Sequence, residues 1–108
     1  MLKKSYSKTK PLCKVTFKLP PEIDAETANL CGDFNNWDTT AHPMKKNKGG
    51  SFSTSLTLET GRDYQFRYLL DGHRWENDGA ADHYEPNSFG EDNSVVELTN
   101  MQHAASTN

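Results

Sequence analysis

The 108 residues suffice for one domain, and their length excludes a catalytic (β/α)8 barrel of about 250 residues. At 33% hydrophobic and 25% charged the chain is poor in aliphatic side chains, but five Phe, four Tyr and two Trp supply large apolar surfaces. A net charge of −3 is too small to keep such a chain unfolded by self-repulsion.

The opening run Met1-Leu2-Lys3-Lys4-Ser5-Tyr6 is charged but has no apolar stretch behind it, so it does not read as a secretory signal. No later run approaches the roughly 18–20 apolar residues that cross a bilayer. The expectation is therefore a cytoplasmic protein in which Cys13 and Cys31 are packed or half-exposed thiols, since neither lies in a CxxC pair or near a His at metal-ligand spacing. Residues 1–18 hold six Lys and no acid, above an acidic body. Interleaved aromatics are missing there and an acidic body repels phosphate, so residues 1–12 are expected to be a basic flexible tail that binds neither nucleic acid nor membrane.

From Lys14 onward the hydrophobic period is two. Val15, Phe17 and Leu19 alternate with polar residues up to Pro20-Pro21, and Ala28 and Leu30 alternate before Gly32. Phe52, Leu56 and Leu58 follow, then Tyr64, Phe66, Tyr68 and Leu70, and finally Val96 and Leu98. Lys48-Gly49-Gly50, Thr60-Gly61-Arg62 and Asp71-Gly72 supply the turns between them. About seven short strands in about 85 residues predict an all-β, immunoglobulin-like antiparallel sandwich, without the antibody-type Cys…Trp…Cys pin. Residues 99–108 carry no pattern and are expected to be a polar flexible tail.

Three segments carry residues that strand alternation does not require. In Cys31-Gly32-Asp33-Phe34-Asn35-Asn36-Trp37-Asp38 a strand ends in Gly and a polar turn presents Trp37. That ring is either a plug over the core or a flat platform for the face of a sugar. In Tyr64–Trp75 the pleat puts Arg67 opposite the core face, and the Asp71-Gly72 turn returns Trp75 toward it. The pair reads as a cation–π decoration of a hairpin or as a stacking surface with a multi-donor fork. Asn87-Ser88-Phe89-Gly90-Glu91-Asp92-Asn93 leads into the last strand. Asn93 there is either a loop-capping amide or a bidentate partner for vicinal hydroxyls.

Taken together, V-T-F…A-N-L-C-G-D-F-N-N-W, F-S-T-S-L-T-L-E-T-G-R-D-Y-Q-F-R-Y-L-L-D-G-H-R-W and F-G-E-D-N-S-V-V-E-L resemble the early-set domain of isoamylases and branching enzymes. This is carbohydrate-binding module family 48, which includes the glycogen-binding domain of the AMP-activated protein kinase beta subunit. The resemblance covers residues 13–98. It implies an immunoglobulin-like sandwich holding α-1,4-linked glucans on an open face, with Trp37 and Trp75 as stacking rings. Arg67 stands where a Lys is usual, Phe89 where a Leu threads against the glucan, and Asn93 on the hydrogen-bonding Asn. Between Asp71-Gly72 and Trp75, His73-Arg74 inserts one residue relative to the family's pattern, which puts the second stacking position in question. The loop from Glu76 to Ser88 is long and acidic and is a candidate cover for part of the face. Leu19 stands where a Trp is common.

Catalysis finds no support. Glycoside hydrolysis needs two carboxylates held about 5 to 9 Å apart across a cleft, whereas Asp71, Glu76, Asp78, Asp82, Glu85, Glu91 and Asp92 read as solvated turn and loop residues. His42, His73, His83 and His103 lack metal-ligand spacing, so no metal, cofactor or catalytic residue is expected. The expectation is a stand-alone, monomeric, non-catalytic module that binds glycogen, starch or maltooligosaccharide through Trp37, Arg67, Trp75, Phe89 and Asn93. The alternative is a module that docks a glucan-metabolising enzyme through the same face.

Overall fold

The computed structural model describes residues 2–98. Among them nine strands form two antiparallel sheets: β1 (Leu2–Tyr6), β2 (Leu12–Leu19), β3 (Ala28–Gly32), β4 (Lys45–Lys46), β5 (Phe52–Glu59), β6 (Asp63–Leu70), β7 (Arg74–Glu76), β8 (His83–Pro86) and β9 (Asp92–Glu97). The first sheet runs β1-β2-β5-β4. The second runs β3-β6-β9-β8, with β7 also paired to β6. No helix is long and apolar enough to cross a membrane among the described residues.

The core follows from the alternation. Cys13, Val15, Phe17 and Leu19 of β2 are buried while Lys14 and Lys18 point outward, and β2 pairs along its length with β5. Tyr64, Phe66, Tyr68 and Leu70 of β6 close the other side. Phe17 meets Phe66 edge-on at 5.0 Å, and Phe66 meets Tyr68 at 5.6 Å, the arrangement favoured by aromatic quadrupoles. Leu56 is only partly buried, though it packs against the cluster. Both cysteines are buried and unpaired, and burial, aided by the charge of Asp38, pushes the Cys31 thiol up to about 11.

The strand count exceeds the expected seven because polar edge strands carry little hydrophobic signal. The clearest correction is at the N-terminus. Within the stretch expected as a flexible tail, Leu2–Tyr6 pairs antiparallel with β2, from Leu2 opposite Phe17 to Tyr6 opposite Cys13. Leu2 packs on the core, and Lys4 reaches the second sheet, donating to the Glu97 carbonyl at 2.9 Å and pairing with Asp82 at 2.7 Å. The tail expected over 99–108 lies outside the described residues.

A second correction concerns the acidic loop. Its chain from Glu76 is anchored by Asp78, which is 1% exposed, and then forms edge strand β8, and its last residues, Asn87 and Ser88, border the open face as expected. Tyr68 Oη donates to Asp78 Oδ2 at 2.7 Å, the Asp78 amide donates to Ser94 Oγ at 2.9 Å, and Ala80 N–H caps Asp78 Oδ1 at 2.8 Å. Burial, then the charge and hydrogen bond of Asp78, hold the Tyr68 phenol well above its ordinary value. Asp78 is thus a buried, satisfied carboxylate and not a solvated one.

Candidate functional site

The outer face of the second sheet is built around Arg67. Upstream of it, β6 pairs with β9 through Phe66 opposite Ser94; downstream, it pairs with β7 from Tyr68 opposite Glu76. The two partners separate at Arg67, and a groove of about 640 Å³ opens there. Its walls include Trp37, Arg67, Trp75, Phe89 and Asn93, so all five residues singled out in the sequence converge on one concavity.

Trp37 comes from the turn after β3. A short 3-10 turn, Asp33–Asn35, is followed by Asn36 and Trp37 at φ 56 and 59, a left-handed pair that costs side-chain-bearing residues energy. Several bonds hold it. Trp37 N–H donates to the Gly32 carbonyl at 2.9 Å, and Trp37 Nε1 donates to Asp33 Oδ1 at 3.3 Å. Asp33 Oδ2 accepts from the Gln65 amide at 2.8 Å, tying the turn to β6. Asn35 accepts from Gly32 N–H at 3.1 Å and donates to the Leu30 carbonyl at 3.0 Å. Gly32 is required by space: a Cβ would lie 2.5 Å from the Gln65 carbonyl oxygen and 2.8 Å from the Phe34 ring. Phe34, not Trp37, is the core plug, with its ring 5.8 Å from Phe17 and 6.2 Å from Tyr64.

Trp75 lies on β7 opposite Leu69, hence on the same face as Arg67. The extra residue expected here falls in a three-residue turn, Asp71-Gly72-His73, in which Asp71 and Gly72 both have positive φ. Amides of Thr27 and Glu26 donate to Asp71 Oδ1 at 3.0 and 2.8 Å and hold its carboxyl below the usual range. Arg74 becomes the first residue of β7, so Trp75 returns beside Arg67, whose guanidinium carbon is 5.5 Å from the ring centroid. Arg67 Nη1 also pairs with Glu91 at 3.0 Å.

Phe89 stands at the tip of the hairpin between β8 and β9 and is 86% exposed. Asn87 shapes this tip: its side-chain Oδ1 accepts the amides of Phe89 and Glu91 at 2.9 and 3.1 Å, and its own amide donates to the Glu91 carbonyl at 2.7 Å. Asn93 is only 8% exposed. Its Nδ2 donates to Gln65 Oε1 at 2.8 Å and its Oδ1 accepts from Asn87 Nδ2 at 3.1 Å. It is therefore a connector inside a short amide chain as much as a groove wall.

A groove with two indoles, a guanidinium, an exposed phenyl and a row of amides is suited to a ring with an apolar face and a hydroxylated edge. The sequence agrees with that chemistry: residues 15–87 match Carbohydrate-binding module 48 (Isoamylase N-terminal domain). The chain belongs to this family. The family-48 match leaves out Phe89 and Asn93, which the fold brings back to the same groove. Among the similar proteins are two 1,4-alpha-glucan-branching enzymes. That of Aspergillus oryzae is 47% identical over 38 residues, 35% of this chain and 6% of the relative. That of Saccharomyces cerevisiae is 56% identical over 34 residues, 31% of this chain and 5% of the relative. An amylopullulanase of Thermoanaerobacterium thermosulfurigenes is 29% identical over 94 residues, 82% of this chain and 5% of the relative. The family-48 module thus spans about one-twentieth of the length of these relatives.

Sequence reasoning missed Asp33, Gln65, Asn87 and Glu91 as groove residues of this family-48 module. Gln65 was discoverable, since it sits two residues before Arg67 on the same strand face. It also missed the far end of that face. Asp63 lies directly opposite Glu97 in register, and with His83 they offer ligand atoms within 4.8 Å of one another, although no two are close in sequence. His83 Nδ1 bonds Glu97 Oε2, and its Nε2 lies 3.1 Å from Glu85 Oε2. Desolvation disfavours the imidazolium, but the hydrogen bonds and charges of Glu97 and Glu85 outweigh it and raise the His83 pKa. A proton on His83 thereby supplies the positive charge that the facing carboxylates call for.

Proposed function

We propose that the groove binds α-1,4-linked glucans and that the module itself performs no chemistry. Trp37 and Trp75 stack on glucose rings and Phe89 fills the space inside the curved chain. Arg67 bonds hydroxyls, and Asn93 acts with Gln65 and Asn87 as an amide row along the edge. The single observation that carries this reading is the convergence of both indoles with Arg67 on one groove. Of the two carboxylates lining the groove, Asp33 bonds Trp37 and the Gln65 amide and Glu91 pairs with Arg67, which supports a non-catalytic module. An open groove leaves much of the sugar hydrated, so affinity is modest.

Affinity electrophoresis through glycogen tests the proposal. The wild type is retarded and Trp37→Ala much less so; unchanged mobility of the wild type, or equal retardation of both, would sink it. The high exposure of Phe89 beside a Trp and an Arg also fits a protein interface. A partner enzyme captured in a pull-down and not released by maltoheptaose would favour that second reading.

A further inference from the structure

Arg67 is the one cation among the described residues lining the groove, against two acids, Asp33 and Glu91. Asp33 is spent on the Trp37 turn, whereas Glu91 is spent on Arg67 itself. The two partners of that ion pair differ in freedom. The Arg67 side chain is 13% exposed and sits on a central strand; the Glu91 side chain is 60% exposed and sits on a hairpin tip. When the pair opens, Glu91 is the partner that moves. Asn87 accepts from the amides of both Phe89 and Glu91, so the backbone positions of these two residues are coupled.

The paired state is also imperfect for Arg67, because its Nε is buried with no hydrogen-bond partner. Leaving a buried donor unsatisfied is costly, so a rearrangement of the fork toward new acceptors relieves a defect as well as breaking a bond. Neutral hydroxyls can make that exchange. An anionic ligand meets a groove in which Arg67, the one cation among the described lining residues, is already neutralised and the formal balance is negative.

We propose that Glu91 is a charge gate: paired with Arg67, it reserves the groove for neutral glucans, rejects anionic ones, and yields the guanidinium when a neutral chain seats. This rests on the glucan reading above. The test follows the indole N–H resonances of Trp37 and Trp75 during titration with maltoheptaose and, separately, with inorganic phosphate at constant ionic strength. Glu91→Gln keeps side-chain size and the backbone bonds of the tip. Glu85→Gln removes the same charge from the same hairpin outside the groove lining. Wild type and Glu85→Gln are expected to respond to maltoheptaose and not to phosphate. Glu91→Gln is expected to bind maltoheptaose with a Kd about two- to fivefold lower, the scale of a partly exposed ion pair, and to show a phosphate-dependent shift at Trp75. A wild type that binds maltoheptaose beside a Glu91→Gln variant lacking either change overturns the gate alone. A wild type silent to maltoheptaose overturns the glucan reading, and the gate with it.

Discussion

The turn that presents Trp37 and the hairpin tip that presents Phe89 are of similar length and sit on the same groove, yet they are held in opposite ways. The Gly32–Trp37 turn is tied outward: Asp33 reaches β6, Asn35 reaches back to β3, and Phe34 is sunk against Phe17 and Tyr64. Its positive-φ pair is tolerable because those ties over-determine it. The 87–91 tip is tied mainly to itself through Asn87, with outward links from Glu91 to Arg67 and from Asn87 to Asn93. One wall is fixed by ties to neighbouring strands and the other chiefly by bonds within its own tip; on the glucan proposal these are a platform and an arm. A preformed ring needs no ordering on binding, whereas the arm must be fixed at some entropic cost.

The largest expected effect comes from breaking the platform. Gly32→Ala drives a Cβ into the Gln65 carbonyl and the Phe34 ring, both parts of packed structure. An overpacking cost of roughly 1–3 kcal/mol is expected, seen as a fall of roughly 5–20 °C in thermal midpoint, together with at least tenfold weaker glucan binding. An unchanged midpoint would show that the turn is looser than its bonds imply. Next, Trp37→Ala should weaken maltoheptaose binding at least about tenfold, and Trp75→Ala about fivefold, because Trp75 already shares its ring with Arg67. Calorimetric titration giving equal losses would remove the distinction between fixed and shared rings. Smaller still, Phe89→Ala should cost about two- to threefold in affinity and leave the thermal midpoint within about 1 °C, since the ring is 86% exposed.

The smallest effect is one of pH. His83 ties β8, the stem of the arm, to Glu97 of β9. Its pKa is raised in the folded state, so this contribution is complete below the free value of about 6.5 and is lost as pH rises through the raised value. Amide exchange in β8 should therefore accelerate as pH rises through that window beyond the intrinsic base-catalysed increase. His83→Gln should flatten that excess, and identical profiles for the two proteins would refute it.

How much of this was legible depended on what each segment buries. β2 and β6 were plain in the sequence because one full face of each is core, giving strict alternation. β1 was hidden because its inward positions are Leu2 and Lys4, and half-buried Lys looks like a tail. β8 is an edge strand of polar and charged residues for the same reason. In the groove, Trp37, Arg67 and Trp75 stood out as residues that alternation does not require. Gln65 and Asn87 did not, because an amide on a solvent-facing strand or in a turn is ordinary until a neighbour from another strand is placed against it. The Phe34–Trp37 question lay in a turn, where periodicity is silent, and only the packing of Phe34 decided it. Asp78 was misread because its burial depends on Tyr68 and Ser94, ten and sixteen residues away.

The short first strand has a consequence beyond packing. β2 is eight residues of alternating apolar backbone, and one of its two margins is occupied only by residues 2–6. Were that strand trimmed away as if it were a dispensable basic leader, β2 would present a row of unsatisfied amides and carbonyls beside exposed apolar surface. Leu2–Tyr6, with its outward Lys3 and its Lys4 clasp on Asp82, then acts as a guard against edge-to-edge self-association, a property as necessary to a binding module as the groove on its opposite sheet.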